Sequence, residues 1–190
     1  MLTWREETML VFNTTDLQLL GRRRYIGEGW GVTHNETCLM VSDGSSLITF
    51  YELPGDLNHS HLQKIRHIRV VDPTTHREIR FINELQYVNG YIYANVWYVD
   101  VILKIDPVSG RVLRKYDCRS LYPLSQRTDQ ADSFNGIAFN TTDNSFLVTG
   151  KLWPRYYRVR LDDMPIITEN EKNIDLSTHQ TIYSSRDSSL

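Results

Sequence analysis

"ELQYVNGYIYANVWYVDVILKID", residues 84–106, decides the fold. Ile92, Ala94 and Val96 alternate with Tyr93, Asn95 and Trp97. A period of two belongs to a strand whose successive side chains face opposite sides of a sheet. Asn89-Gly90 precedes this run, and Asn-Gly supplies the two positive-φ residues of a tight hairpin turn. A further apolar run, Ile102-Leu103-Lys104-Ile105, follows after a short connection. The stretch therefore reads as three strands joined by short turns.

The same pattern recurs on both sides. "GVTHNETCLMVSDGSSLITFYEL" begins at Gly31, 53 residues before Glu84, and "GIAFNTTDNSFLVTGKLWPRYYRVRL" begins at Gly136, 52 residues after it. Each reads as strand, polar turn, strand, short connection, strand. Asp43-Gly44, Asp106-Pro107 and Ser109-Gly110 supply the turns, and "VLRKYDC" (112–118) reads as a fourth, closing strand. Four-stranded units at this period are the signature of β-propeller blades. "LTWREETMLVF" (2–12) fits only the second half of a unit, with Trp4 aligned to Trp97 and Met9-Leu10-Val11-Phe12 to residues 102–105.

The expected architecture is all-β, with one partial blade followed by about three whole four-stranded blades over residues 1–165. Residues 166–190 are polar, with little periodicity, and are expected to form a partly disordered tail. A closed propeller takes at least ~4 blades, so the chain is expected either to close in an unusual way or to be a piece of a longer propeller, which would leave open strand edges at both ends.

Composition narrows the function classes. Hydrophobic residues make up 41% of the 190 and the formal net charge is -2, ordinary for a soluble globular chain. That balance gives no global field toward nucleic acid or an anionic membrane. No apolar run approaches the ~18 residues of a membrane span. "GRRRY" (21–25) reads as a solvated basic turn. "MLTWREE" places charges where the apolar core of a signal peptide would lie. Sequons at Asn13, Asn35, Asn58 and Asn140 have two open readings: chance sequons in polar turns, or a pointer toward the secretory pathway or the extracellular space. Cys38 and Cys118 fit no metal spacing, and their pairing is open.

Equivalent positions of successive blades fall at equal heights, so they form rings around the axis. One ring, from the first strands, holds Trp30, Asn83 and Asn135. The other, from the ends of the second strands, holds Trp4, Gly44, Trp97 and Lys151. Two indoles, a glycine and an ammonium in one slot are the mixed chemistry of a binding pocket, with apolar walls and a few polar groups. Two readings of Lys151 stay open: a cation aimed at a ligand carbonyl or carboxylate, or a side chain that snorkels to solvent. Asn83 is equally a site residue or a buried amide bonded to a neighbouring blade's backbone. Asn135, in Asn-Gly, and Trp153, before Pro154, read as structural. Glu84 alternates with Asn83 and is expected to face the other way.

"EGWGVT", "SDGSS", "INELQYVNGYIYANVW", "IDPVSGRV", "FNGIAF" and "VTGKLWP", in order and at blade spacing, resemble the plant-type glutaminyl-peptide cyclotransferases over residues 4–161. The resemblance implies a five-bladed propeller with its site at the axial mouth, acting on peptides or proteins with an N-terminal glutamine. It implies cyclisation of that residue to pyroglutamate with release of ammonia, and no cofactor or metal. By the same resemblance, Asn83 and Lys151 polarise the γ-carbonyl and hold the oxyanion, and Trp4, Trp30 and Trp97 line the pocket. The family's acid/base glutamate lies in an F-G-E-G motif that this chain does not carry. "IGEGWGV" also contains G-E-G, but the repeat puts Trp30, not Glu28, on the ring, so Glu28 is not assigned that role. Weak or absent turnover is therefore expected of residues 1–190. The alternative is a non-catalytic propeller that binds peptide N-termini or a protein partner.

Overall fold

A computed structural model describes residues 1–53 and 60–167 of the chain. Thirteen strands among them form four antiparallel sheets in chain order. β1 (Thr8–Phe12) and β2 (Leu19–Arg24) pair as a ribbon. β3 (Gly31–His34), β4 (Cys38–Ser42), β5 (Leu47–Glu52) and β6 (Lys64–Arg69) form a four-stranded meander. β7 (Ile82–Val88), β8 (Tyr91–Val96), β9 (Val101–Ile105) and β10 (Val112–Asp117) form another. β11 (Phe134–Asn140), β12 (Ser145–Gly150) and β13 (Tyr157–Val159) form the last. The helical content of the described residues is two short 3-10 turns.

Alternation along the strands explains how the sheets stack. On β9, Val101, Leu103 and Ile105 join one apolar cluster while Ile102 joins the next. On β8, Ile92, Ala94 and Val96 join the first cluster and Tyr93 the second. On β4, Met40 faces the β7–β10 sheet's cluster and Val41 faces a smaller one built with Met9 and Tyr25. Each cluster thus lies between consecutive sheets, and a strand of period two supplies both. This is the face-to-face stacking of propeller blades. Burying Leu103 fully contributes about 2–3 kcal/mol at ~25 cal/mol per Å².

The last unit departs from the expected four strands. After β13 the chain enters a 3-10 turn at Leu161–Asp163, and no fourth strand occurs among the described residues. Residues 165–167 return instead to β10 of the preceding sheet. Asp117 N–H donates to the Pro165 carbonyl at 2.9 Å, and Ile167 N–H donates to the Lys115 carbonyl at 3.0 Å. The outer edge of β10 is thereby capped, which removes unpaired backbone groups from an edge strand. The remainder of the expected tail, residues 168–190, and the sequon at Asn58 lie outside the described residues.

Cys38 and Cys118 are buried as free thiols in different clusters, which leaves no disulfide between them. Burial pushes the Cys118 thiol up to about 12. No helix among the described residues is long and apolar enough to cross a membrane.

Candidate functional site

The first strands of the blades begin, and the second strands end, at one end of the stacked sheets. Trp30 immediately precedes β3, Asn83 lies at the start of β7, Trp97 follows β8 and Lys151 follows β12. The two sequence rings therefore meet at that end. The Trp30 and Trp97 rings pack edge to face at 4.9 Å and 80°. The Lys151 ammonium stands over the Trp97 ring, 5.3 Å from its centroid. A cation over an indole face is held by the ring quadrupole. The Lys151 side chain is exposed, yet its charged end is directed along the aromatic row.

Trp97 is fixed from both sides. Its Nε1 donates to Ser133 Oγ at 3.0 Å, and its ring stacks on Tyr98 at 4.0 Å. The same Ser133 accepts the Lys151 backbone N–H through its carbonyl, at 2.9 Å. Ser133 thus couples the indole and the cation of two neighbouring sheets. Phe81, Tyr98 and Leu152, each close in sequence to a site residue, all hold positive φ. Bulky residues in that region store roughly 1–3 kcal/mol each, and the surrounding packing must hold them.

Gly44 shares its ring slot with Trp97 and Lys151, and its glycine identity has a clear cause. A Cβ there would lie 2.5 Å from the Trp30 indole, and its φ is +78°. The Trp30 ring lies directly over this backbone.

Asn83 sits on a bulge. The β7–β8 register shifts between Ile82 and Leu85, and the β11–β12 register shifts equivalently between Phe134 and Ile137. Strict alternation does not carry across a bulge, so the expectation that Glu84 simply faces away from Asn83 has no footing there. Asn83 is 6% exposed as a residue, and its side chain makes no hydrogen bond among the described residues. Its backbone makes the contact between blades instead. Ser42 Oγ donates to the Asn83 carbonyl at 2.6 Å while accepting the Gly31 N–H at 2.9 Å. The carboxamide is left available.

Sequence reasoning missed these seam residues. Ser42, Asn95 and Thr149 stand 53 and 54 residues apart, a third ring. Asn95 Oδ1 accepts the Gly136 N–H of the next sheet at 3.1 Å, as Ser42 reaches Asn83. The repeat offset could have found them, because it equates their positions. Asn95 Nδ2 and Asn135 Oδ1 are buried without a partner among the described residues. Asn135 therefore does not have the fully bonded amide that a purely structural role provides.

Glu28 holds the Trp4 and Trp30 indoles. One carboxylate oxygen accepts Trp4 Nε1–H at 2.8 Å and Trp30 Nε1–H at 2.7 Å. Trp4 is 53% exposed, and its side chain joins the row through this bond. Trp153 is structural, as expected: it is buried against Phe134 and Tyr122, and its Nε1 donates to the Asp132 carbonyl. Among the described residues no cluster of three or more His, Cys, Asp or Glu side chains could hold a metal ion.

Glu84, half-buried beside Asn83, has its carboxyl pushed up by burial, against weaker backbone hydrogen bonds from Leu85 and Val32. A carboxyl raised on folding contributes stability that is full below its unfolded pKa and lost as pH rises through the folded one. Glu84→Gln is therefore expected to raise the thermal midpoint at pH 7, with the difference vanishing by about pH 4. A lower midpoint at pH 7 would contradict this sign.

These features define a β-propeller protein with an aromatic, polar-tipped site at one end of its sheets. A model of the glutamine cyclotransferase family matches residues 1–161, and the chain belongs to that family. It is 32% identical to an Arabidopsis thaliana glutaminyl-peptide cyclotransferase, over 78% of this chain and 46% of that one. The chain thus spans about half the length of that relative. It is also similar to the crystal structure of the Myxococcus xanthus glutaminyl cyclase, with a TM-score of 0.75 and 31% identity. That similarity covers 88% of this chain and 68% of the other.

Proposed function

We propose that this chain carries the substrate-binding row of a glutaminyl-peptide cyclotransferase and acts on the N-terminal glutamine of peptides or proteins. The observation that carries the reading is the row itself, Trp30 against Trp97 with the Lys151 ammonium over the second ring. Asn83, whose carboxamide makes no hydrogen bond among the described residues, lies at the same end.

In this reaction the α-amine attacks the γ-carbonyl carbon of its own residue. One C–N bond forms, closing the lactam. The carboxamide C–N bond then breaks, and ammonia leaves with the proton that the amine has lost. The enzyme needs no nucleophile of its own. It must fold the glutamine side chain back and stabilise the oxyanion. The indoles supply a flat apolar wall for the methylenes. Lys151 and Asn83 supply donors for the carbonyl oxygen as it gains charge. Proton transfer by a general acid/base adds ~10²–10⁴-fold to such a step.

The test measures ammonia release from a Gln-initiated peptide against the same peptide in buffer. Release above the buffer rate, with no reaction of an Ala-initiated control, supports the reading. Saturable binding without release would favour the non-catalytic binding propeller. Neither binding nor release would remove both.

A secretory location is part of the same proposal. Asn13, Asn35 and Asn140 each accept, through Oδ1, the N–H of the Thr two residues on. These three Asx turns follow the ends of β1, β3 and β11, the far end of the sheets from the aromatic row. Glycans there would leave the site open. Expression through a eukaryotic secretory pathway is expected to give protein whose mass falls on N-glycosidase treatment. An unchanged mass would count against it.

A further inference from the structure

We propose that Glu28 is a positioning residue, a carboxylate clamp that locks Trp4 to Trp30 and so fixes two walls of the site supplied by different sheets. This rests on the reading of that site as a peptide N-terminus pocket.

Trp4 precedes β1 and Trp30 precedes β3, so nothing in local secondary structure sets one indole against the other. The part-buried Trp30 N–H needs an acceptor, Trp4 is exposed, and a carboxylate is a stronger acceptor for both than a neutral oxygen. Glu28 Oε2 accepts both, at 2.8 and 2.7 Å. The loop that carries it is itself pinned. Gly29 N–H donates to the Trp4 carbonyl at 3.0 Å, and Gly27 N–H donates to Glu7 Oε1 at 3.0 Å. A Cβ on Gly29 would fall 2.0 Å from the Tyr25 hydroxyl oxygen and 2.8 Å from the Thr3 carbonyl oxygen. The loop therefore lies too close to residues 2–4 to move freely. Trp30 passes the constraint on, because its ring meets Trp97 edge to face and Trp97 carries the Lys151 cation. One oxygen thus sets the angles at the start of a row that ends at the ammonium. An oxygen already shared by two N–H donors suits orientation rather than proton transfer.

The experiment pairs a structural readout with a functional one. Indole 15N–1H resonances of the chain report the hydrogen bond of each Trp directly. Glu28→Ala is expected to move the Trp4 and Trp30 signals upfield and to leave the Trp153 signal, whose bond is to Asp132, in place. It is expected to weaken binding of a Gln-initiated peptide about 10-fold or more, the size of losing a hydrogen bond to a charged group. Glu28→Gln retains an acceptor oxygen and is expected to recover most of both. Unmoved Trp4 and Trp30 signals in Glu28→Ala would overturn the proposal. So would unaltered peptide binding, or a Glu28→Gln variant as impaired as Glu28→Ala. If Glu28→Ala fails to fold, the Glu28→Gln spectrum decides alone, since a clamp predicts two signals near their original positions and their loss refutes it. If the unsubstituted chain binds no Gln-initiated peptide, the functional reading fails while the indole signals still decide the role of Glu28.

Discussion

Lys151→Ala is expected to lower ammonia release from a Gln-initiated peptide by about 10²–10³-fold, or to the rate of the peptide alone. Charge develops on the γ-carbonyl oxygen only as the amine attacks, so a cation aimed at that oxygen acts mainly on the transition state. The Lys151 backbone is fixed by the Ser133 carbonyl, and its ammonium is guided by the Trp97 face. The side chain is exposed and makes no ion pair among the described residues, so its loss leaves the core untouched. The thermal midpoint should therefore move by no more than ~1–2 °C. Lys151→Arg is not expected to restore the rate, because a planar fork does not replace a compact ammonium at one oxygen. Release that is unchanged in Lys151→Ala would place the oxyanion elsewhere.

Gly31→Ala is expected to be the most damaging single-methyl change at the seam between the second and third sheets. A Cβ at Gly31 would lie 2.3 Å from the Asn83 carbonyl oxygen and 2.8 Å from the Glu84 Cα. Both atoms belong to backbone, which cannot swing aside as a side-chain tip can. The methyl must push β3 and β7 apart, breaking the Ser42 bridge from the Gly31 N–H to the Asn83 carbonyl. Overpacking of this kind costs about 2–3 kcal/mol, or ~5–10 °C of midpoint for a chain of this size. It should also weaken peptide binding, since the Asn83 carboxamide moves with its backbone. A midpoint within a degree of the unsubstituted protein would show that the seam can open without cost.

Much of this site was legible because a propeller repeats. The offset between units put Trp97 and Lys151 in one slot and Trp30 and Asn83 in another, and the structure sets both slots at one end of the sheets. The structure brings members of both slots together there through the Trp30–Trp97 contact. The seam was not read, although Ser42 and Asn95 share the same offset. Their importance lies in what the adjacent sheet presents, a carbonyl in one case and an N–H in the other. Nor was the bulge at Asn83 and Glu84 foreseen, because inserting one residue into a ladder leaves no mark on composition. The fourth strand expected in the last unit failed for a related reason. Residues 165–167 are apolar enough for a strand, and only the open edge of β10 decides that they pair with it.

The sequence by itself determined the strand identities, the blade period and the chemistry of each ring, since those depend on alternation, turn residues and side-chain type along one chain. The tertiary structure alone decided that Glu28 joins two indoles, that Ser133 couples Trp97 to Lys151 and that Asn83 spends its backbone, not its side chain, on the neighbouring sheet. Those facts are distances between residues on different elements. Hydrogen bonds act only within about 3 Å, and no spacing along the chain encodes which groups come that close.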